Sequence, residues 1–90
     1  MGYGRMRKRF LKEHRKGDFA EFLMNGNLKQ HLMDIDREAK EQIELITAQL
    51  ARAEGVTEAL KARDQLGWIR AMNSCRARAE EQVVRDYVLK

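Results

Sequence analysis

Between Leu28 and Ala53 the apolar residues recur in a rhythm that suits one backbone geometry. Leu28, Leu32, Ile35, Ala39, Ile43, Ile46, Leu50 and Ala53 follow one another at steps of 4, 3, 4, 4, 3, 4 and 3. Steps of three and four keep side chains on one face of an α-helix, whereas a strand needs strict alternation. The spacing predicts an amphipathic helix over 28–54, roughly 40 Å long at 1.5 Å per residue. The chain has no proline to break it, and Gly55 stands where a helix end often needs positive φ. A second stripe, Leu66, Ile69, Met72, Ala79, Val83 and Tyr87, predicts another long helix over 65–88. Asp64 is placed to cap that helix, and Gly67 weakens its first turn by up to about 1 kcal/mol relative to Ala. The two long helices form an αα-hairpin with 55–64 as its corner, where Thr57 starts a short helix, 57–63, containing Leu60.

Ahead of the hairpin, Tyr3, Met6 and Phe10 recur at i, i+3, i+7 and mark the inward face of a helix over 1–16, with Gly17 as its stop. Asp18 followed by Glu21 is a capping-box pattern for a short helix over 18–26, with Phe19, Phe22 and Leu23 inward and Asn25-Gly26 at its end. Asn27 and Gln30 repeat the pattern before the long helix. The expected fold is therefore all-α: a small helical bundle built on a long αα-hairpin, with a basic N-terminal helix packed across it. Ninety residues allow one domain, 1–90, burying only about 60% of the surface its unfolded chain exposes. The expected core is Phe10, Phe22, Leu32, Ile35, Ile43, Ile46, Leu50, Leu60, Ile69, Met72 and Val83.

Charge is unevenly placed. The first sixteen residues hold seven of the 18 Lys/Arg (Arg5, Arg7, Lys8, Arg9, Lys12, Arg15 and Lys16) against one acid, Glu13. This end is +6 and the remainder is −2, so the net +4 comes entirely from it. A basic end on a near-neutral body is an electrostatic footprint, and its commonest partner is a polyanion. Arg70, Arg76 and Arg78 add a second basic group on the last helix, with Arg63 near the corner, blunted by Glu80 and Glu81. A membrane surface fits less well, because Tyr3, Met6 and Phe10 are needed for the core. No apolar run is long enough to span a bilayer, and no secretory apolar region follows the basic start. The single Cys75 gives no disulfide framework, which suits the cytoplasm. A homodimer stays open as a way to add buried surface.

Other patterns carry less. Residues 18–40 have the outline of a helix-turn-helix, which would put Asn27, Lys29, Gln30 and His31 at the start of a recognition helix. Asp34, Asp36, Glu38 and Glu41 follow and would repel phosphates, so an ordinary αα-corner is the better reading. His31, Asp34 and Glu38 line one side of a helix, yet a di-iron bundle needs further carboxylates and a second histidine set. No metal or cofactor is expected. Cys75 has no recognisable base, and no catalytic residue is expected. Trp68 reads as core rather than as a stacking platform.

Three stretches resemble a known family: Tyr3-Gly4-Arg5-Met6-Arg7-Lys8-Arg9-Phe10-Leu11-Lys12-Glu13-His14-Arg15; Glu54-Gly55-Val56-Thr57-Glu58-Ala59-Leu60-Lys61-Ala62-Arg63-Asp64-Gln65; and Trp68-Ile69-Arg70-Ala71-Met72-Asn73 running on to Arg76-Ala77-Arg78-Ala79-Glu80-Glu81. Together they resemble the TnpV family of transposon-encoded proteins. The resemblance implies a mobile-element context and supplies no catalytic residues. Two features depart from the family's usual pattern: the chain starts almost at the Tyr-Gly-Arg segment, and it has Lys16-Gly17-Asp18 where a proline is usual.

The expected function is that of a non-enzymatic accessory or regulatory protein of a mobile element, binding nucleic acid or a nucleoprotein through Arg5, Arg7, Lys8, Arg9, Lys12, Arg15 and Lys16, with Arg70 and Arg76 as a second group. The alternative is a protein-binding inhibitor or adaptor acting on a host or element nuclease, in the manner of an anti-CRISPR protein.

Overall fold

The computed structural model describes residues 2–90; Met1, the first residue of the expected N-terminal helix, lies outside them. The elements in chain order are α1 (Gly2–His14), α2 (Lys16–Asn25), α3 (Leu28–Ala53), α4 (Glu58–Arg63), α5 (Gln65–Val83) and a π-helical segment, Val84–Val88. No strand occurs among the described residues, and the fold is all-α. The chain divides into two compact units, one running to Lys40 and including Val84–Lys90, the other Glu41–Val83. Among the described residues no helix is long and apolar enough to cross a membrane.

In the first unit α1 packs against α2, the C-terminal segment and the first turns of α3. The α1–α3 contact is close because residue 4 is glycine: a Cβ there would lie 3.0 Å from the Leu32 carbonyl oxygen. Leu11, Ala39 and Val88 are fully buried, and Ile35 is nearly so. Asp36, only 5% exposed, reaches the N-terminus of α1, where the Tyr3 N–H donates to its Oδ1 at 3.2 Å. This carboxylate satisfies a backbone amide that has no partner within α1, at the end where the helix dipole favours negative charge. Lys40 Nζ, 2.9 Å from Asp36 Oδ2, balances the charge from the next turn of α3.

Two expectations for this unit are corrected. The inward face of α1 is not Tyr3, Met6 and Phe10 but Gly4, Arg7 and Leu11, the same spacing one residue round. Met6 is 42% exposed, and Tyr3 and Phe10 are half-buried. The glycine sets this rotation, since it lets the two backbones approach most closely. The break between α1 and α2 falls at Arg15 (φ −139°, ψ 59°), and Gly17 lies inside α2 without positive φ. One non-helical residue makes the turn, so neither a glycine stop nor an Asp18 cap is required. Asp18 instead forms an ion pair with Arg15 at 3.8 Å.

Helices α2 and α3 end alike. Gly26 and Gly55 both have φ 71°. In each case the glycine N–H and the following N–H turn back onto carbonyls of the last helical turn: Gly26 to Leu23 and Asn27 to Phe22, then Gly55 to Arg52 and Val56 to Ala51. This Schellman arrangement needs the left-handed conformation that glycine adopts without strain.

In the second unit the latter part of α3 lies beside α5. Arg78 makes a two-pronged ion pair with Glu54 at 2.6 and 2.7 Å, and Arg76 pairs with Glu44. Helix α4 packs on α5. Thr57 caps α4 by accepting the Leu60 N–H at 3.2 Å, and Asp64 caps α5 by accepting the Gly67 N–H at 3.0 Å. The buried residues are Ile43, Thr47, Ala51, Cys75, Ala79 and Val83. The Thr47 hydroxyl is satisfied by donating to the Ile43 carbonyl at 2.6 Å.

Here too the expected core is corrected. Ile69 is 40% exposed and Leu66 57% exposed. Helix α5 buries the row Cys75, Ala79 and Val83. At 100° per residue Ile69 lies about 80° from the middle of that row and Leu66 about 140°. The small residues at 75 and 79 permit close packing and thereby set the buried face. Of the other expected core residues, Ile35, Ile43 and Val83 are buried, while Phe10, Phe22, Leu32, Ile46, Leu50, Leu60 and Met72 are half-buried.

Candidate nucleic-acid interface

Turning Gly4, Arg7 and Leu11 inward fixes what α1 presents outward. Arg5, Lys8, Arg9 and Lys12 fall at i, i+3, i+4 and i+7 and are all exposed. They form one stripe, about 10 Å long at the helical rise. None of the four has an acidic ion-pair partner among the described residues. Arg5 with Arg9, and Lys8 with Lys12, are like-charge pairs at i, i+4, each unfavourable by about 0.2–0.5 kcal/mol in an isolated helix. The stripe is held outward by the opposite face, where Gly4 meets Leu32 and Asp36 binds the helix N-terminus. Lys12 also lies 5.7 Å from the centre of the Phe19 ring, a cation–π contact with α2.

Arg7 is placed differently from the other basic residues of α1. Its Nη1 donates to the backbone carbonyls of Val88 at 3.1 Å and Lys90 at 2.9 Å, and its Nε donates to His31 Nε2 at 3.3 Å. The guanidinium thus joins α1, α3 and the C-terminal segment. The π-helical turn, closed by the Leu89 N–H on the Val84 carbonyl at 2.9 Å, leads into those carbonyls. Burial lowers the Arg7 pKa, and neighbouring Arg15 lowers it further. A guanidinium remains charged through such a shift.

His31 stacks on Phe22 with ring centroids 4.3 Å apart. Because Arg7 donates to its Nε2, that nitrogen carries a lone pair and the imidazole is neutral. Burial lowers the His31 pKa, and the Arg7 charge adds to the effect. Gln30 donates to Asp34 at 2.9 Å. Two of the four side chains that a recognition helix would offer to base edges are therefore engaged within the protein. Asp34 also pairs with Arg37, and Glu38 accepts from the Tyr87 hydroxyl, so the His31, Asp34 and Glu38 stripe is spread over separate partners. Among the described residues no group of three or more His, Cys, Asp or Glu side chains is arranged to hold a metal ion.

The remaining basic residues are dispersed. Arg15 pairs with Asp18, and its guanidinium lies 5.9 Å from the Phe10 ring centre. Lys16 is exposed at the start of α2. Arg70 and Arg76 belong to the second unit, Arg70 exposed and Arg76 paired with Glu44. Trp68 is half-buried, with the Lys61 ammonium 4.6 Å from its ring centre. Cys75 is fully buried, its sulfur 3.5 Å from Arg78 Nη2.

Two side chains of α3 have roles at this end that the sequence does not assign them. Asp36 holds α1 in place, and its signal was an acid four residues after Leu32 on the apolar side of α3. Lys29 shares an apolar groove with Lys8, a proximity that periodicity within one helix cannot reveal.

Neither the curated proteins nor the solved structures compared with this chain give a match. The family described as transposon-encoded protein TnpV matches residues 1–88, nearly the whole chain. With the Tyr-Gly-Arg helix, the Gly55 corner and the last helix all inside the match, the chain belongs to the TnpV family.

Proposed function

We propose that this transposon-encoded protein is a non-enzymatic accessory or regulatory factor that grips the phosphate backbone of nucleic acid, free or in a nucleoprotein, through α1. The observation that carries this reading is the stripe of Arg5, Lys8, Arg9 and Lys12, outward and without acidic partners among the described residues. Phosphates would offset the repulsion along the stripe, and four cations on one helical face can follow a strand backbone without reading bases. Arg7 supports the grip indirectly by fixing the helix. Lys16 and Arg15 extend the positive surface at the next turn, while Arg70 and the paired Arg76 are a secondary group. Work in the cytoplasm belongs to the same reading.

Fluorescence anisotropy with labelled duplex DNA and RNA over a salt series tests the proposal. Four phosphate contacts give a slope of log K against log salt of about −3.6 on duplex DNA. Changing Arg5, Arg9 and Lys12 together to Gln should weaken binding to every sequence and flatten the slope by about 3. Absence of binding to either nucleic acid at low salt defeats the proposal.

A further inference from the structure

Beside the cationic stripe the first unit carries a groove between α1 and the first turns of α3. It is formed by Lys8 from α1 with Leu28, Lys29, Leu32 and Met33 from α3. Its surface is almost wholly apolar, yet it opens to solvent: Met33 is 43% exposed, and Leu28 and Leu32 are half-buried. The two helices that border it approach closely where Gly4 meets Leu32. Each helix contributes one ammonium group, Lys8 and Lys29, and both side chains are exposed. Phosphates satisfy ammonium groups but gain nothing from Leu28, Leu32 and Met33. Among the described residues no aromatic side chain lines the groove to stack a base.

We infer that this groove is a docking site for an acidic amphipathic helix of a protein partner, its apolar ridge seated on Leu28, Leu32 and Met33 and its flanking carboxylates on Lys8 and Lys29. Charge complementarity selects this occupant. Helix-in-groove recognition takes apolar anchors at i, i+3 or i+4 and i+7, and a row of that kind covers the Leu28–Leu32 repeat. Carboxylates beside the anchors meet one lysine from each helix and also feel the field of Arg5 and Lys12. A methionine at the open edge adapts to anchors of different shape. The site does not rest on the nucleic-acid reading: it shares Lys8 with the cationic stripe, but Leu28, Lys29, Leu32 and Met33 all belong to α3.

The probe is a synthetic three-turn helical peptide with a leucine ridge flanked by glutamates, fluorescently labelled, compared with a sequence-scrambled version and one in which lysines replace the glutamates. The intact protein should bind the first and discriminate against both others by at least about tenfold, 1.4 kcal/mol. Met33→Ser, at an exposed position, should weaken peptide binding by about fivefold or more while leaving duplex binding unchanged. The double variant Lys8→Glu with Lys29→Glu should reverse the preference toward the lysine peptide. Arg5, Arg9 and Lys12 changed to Gln should retain peptide binding within about threefold at physiological salt, where charges beyond the groove are screened. Equal affinity for the scrambled peptide overturns the site. So does binding to anionic vesicles that depends on Met33, which makes the groove a lipid contact. Self-association abolished by Met33→Ser also overturns it, since the occupant is then a second copy. Loss of duplex binding with peptide binding intact defeats only the proposed function.

Discussion

The Tyr3 backbone N–H and the Asp36 carboxylate, 33 residues apart in sequence, form the cap of helix α1. A cap is usually supplied by the residue just before the helix. Here it comes from α3, so local helix termination and tertiary docking are one interaction. Replacing Asp36 with Ala should destabilise the protein by about 2 kcal/mol, within the range for a lost charged hydrogen bond plus a cap. Urea unfolding measures it, and a change under half that size would mean the N–H is satisfied by water instead.

The same contact sets an acid limit. The hydrogen bond from Lys40 holds the Asp36 carboxyl below its ordinary pKa, with the Lys40 charge and the α1 amides acting in the same direction against burial. A depressed folded-state pKa stabilises above the unfolded-state value and loses its effect as pH falls through the folded one. The stability gap between the parent and Asp36→Asn should therefore be full at neutral pH and should close in strong acid. A gap of constant size across that range contradicts the assignment.

His31 works in the same direction at higher pH. Its folded-state pKa is lowered, chiefly by burial and then by Arg7. Neutral His31 accepts from Arg7, and protonation removes that acceptor and sets Asp34 and Glu38, which favour the cation, against Arg7 and burial. Stability should be complete above the unfolded-state histidine pKa and should fall as pH drops below it. The His31 ring resonances followed by NMR should give a midpoint below the ordinary histidine value, and Arg7→Gln should raise it.

Two glycines on the first two helices should respond oppositely to alanine. At Gly17 no atom lies within 4 Å of an added Cβ, so Gly17→Ala should stabilise by up to about 1 kcal/mol through helix propensity. At Gly4 the added carbon meets the Leu32 carbonyl oxygen at 3.0 Å, and the backbone of α3 must yield. Gly4→Ala should destabilise by about 1–3 kcal/mol, as overpacking does. Thermal melts of both variants decide the matter, and a higher melting temperature for Gly4→Ala would refute the close approach.

Helix periodicity was legible because it is local. The stripe from Leu28 to Leu50, the glycine stops at 26 and 55, and the caps at Thr57 and Asp64 depend on residues within a turn or two. The rotation of α1 was not legible. Gly4 and Arg7 look like surface residues by hydropathy, and their burial depends on Leu32, Val88 and Lys90, far along the chain. The exposure of Leu66 and Ile69 was hidden for a related reason: hydropathy favours large residues, while α5 packs through small ones. At the candidate site the cationic segment was evident, but which of its cations face outward follows only from that rotation.

Arg7 has a kinetic consequence for the phosphate reading. Its charge is still present although its Nε and Nη1 donors are engaged within the protein, and a charge acts at a distance whether or not it makes contact. An approaching polyanion is therefore drawn by five cations of α1 but held by four. Neutralising the outward stripe should shorten the lifetime of a complex, whereas the charge of Arg7 acts mainly on the rate of encounter. A scan that measures affinity alone would rank Arg7 beside Arg5 and Arg9, while the separate rates would set it apart.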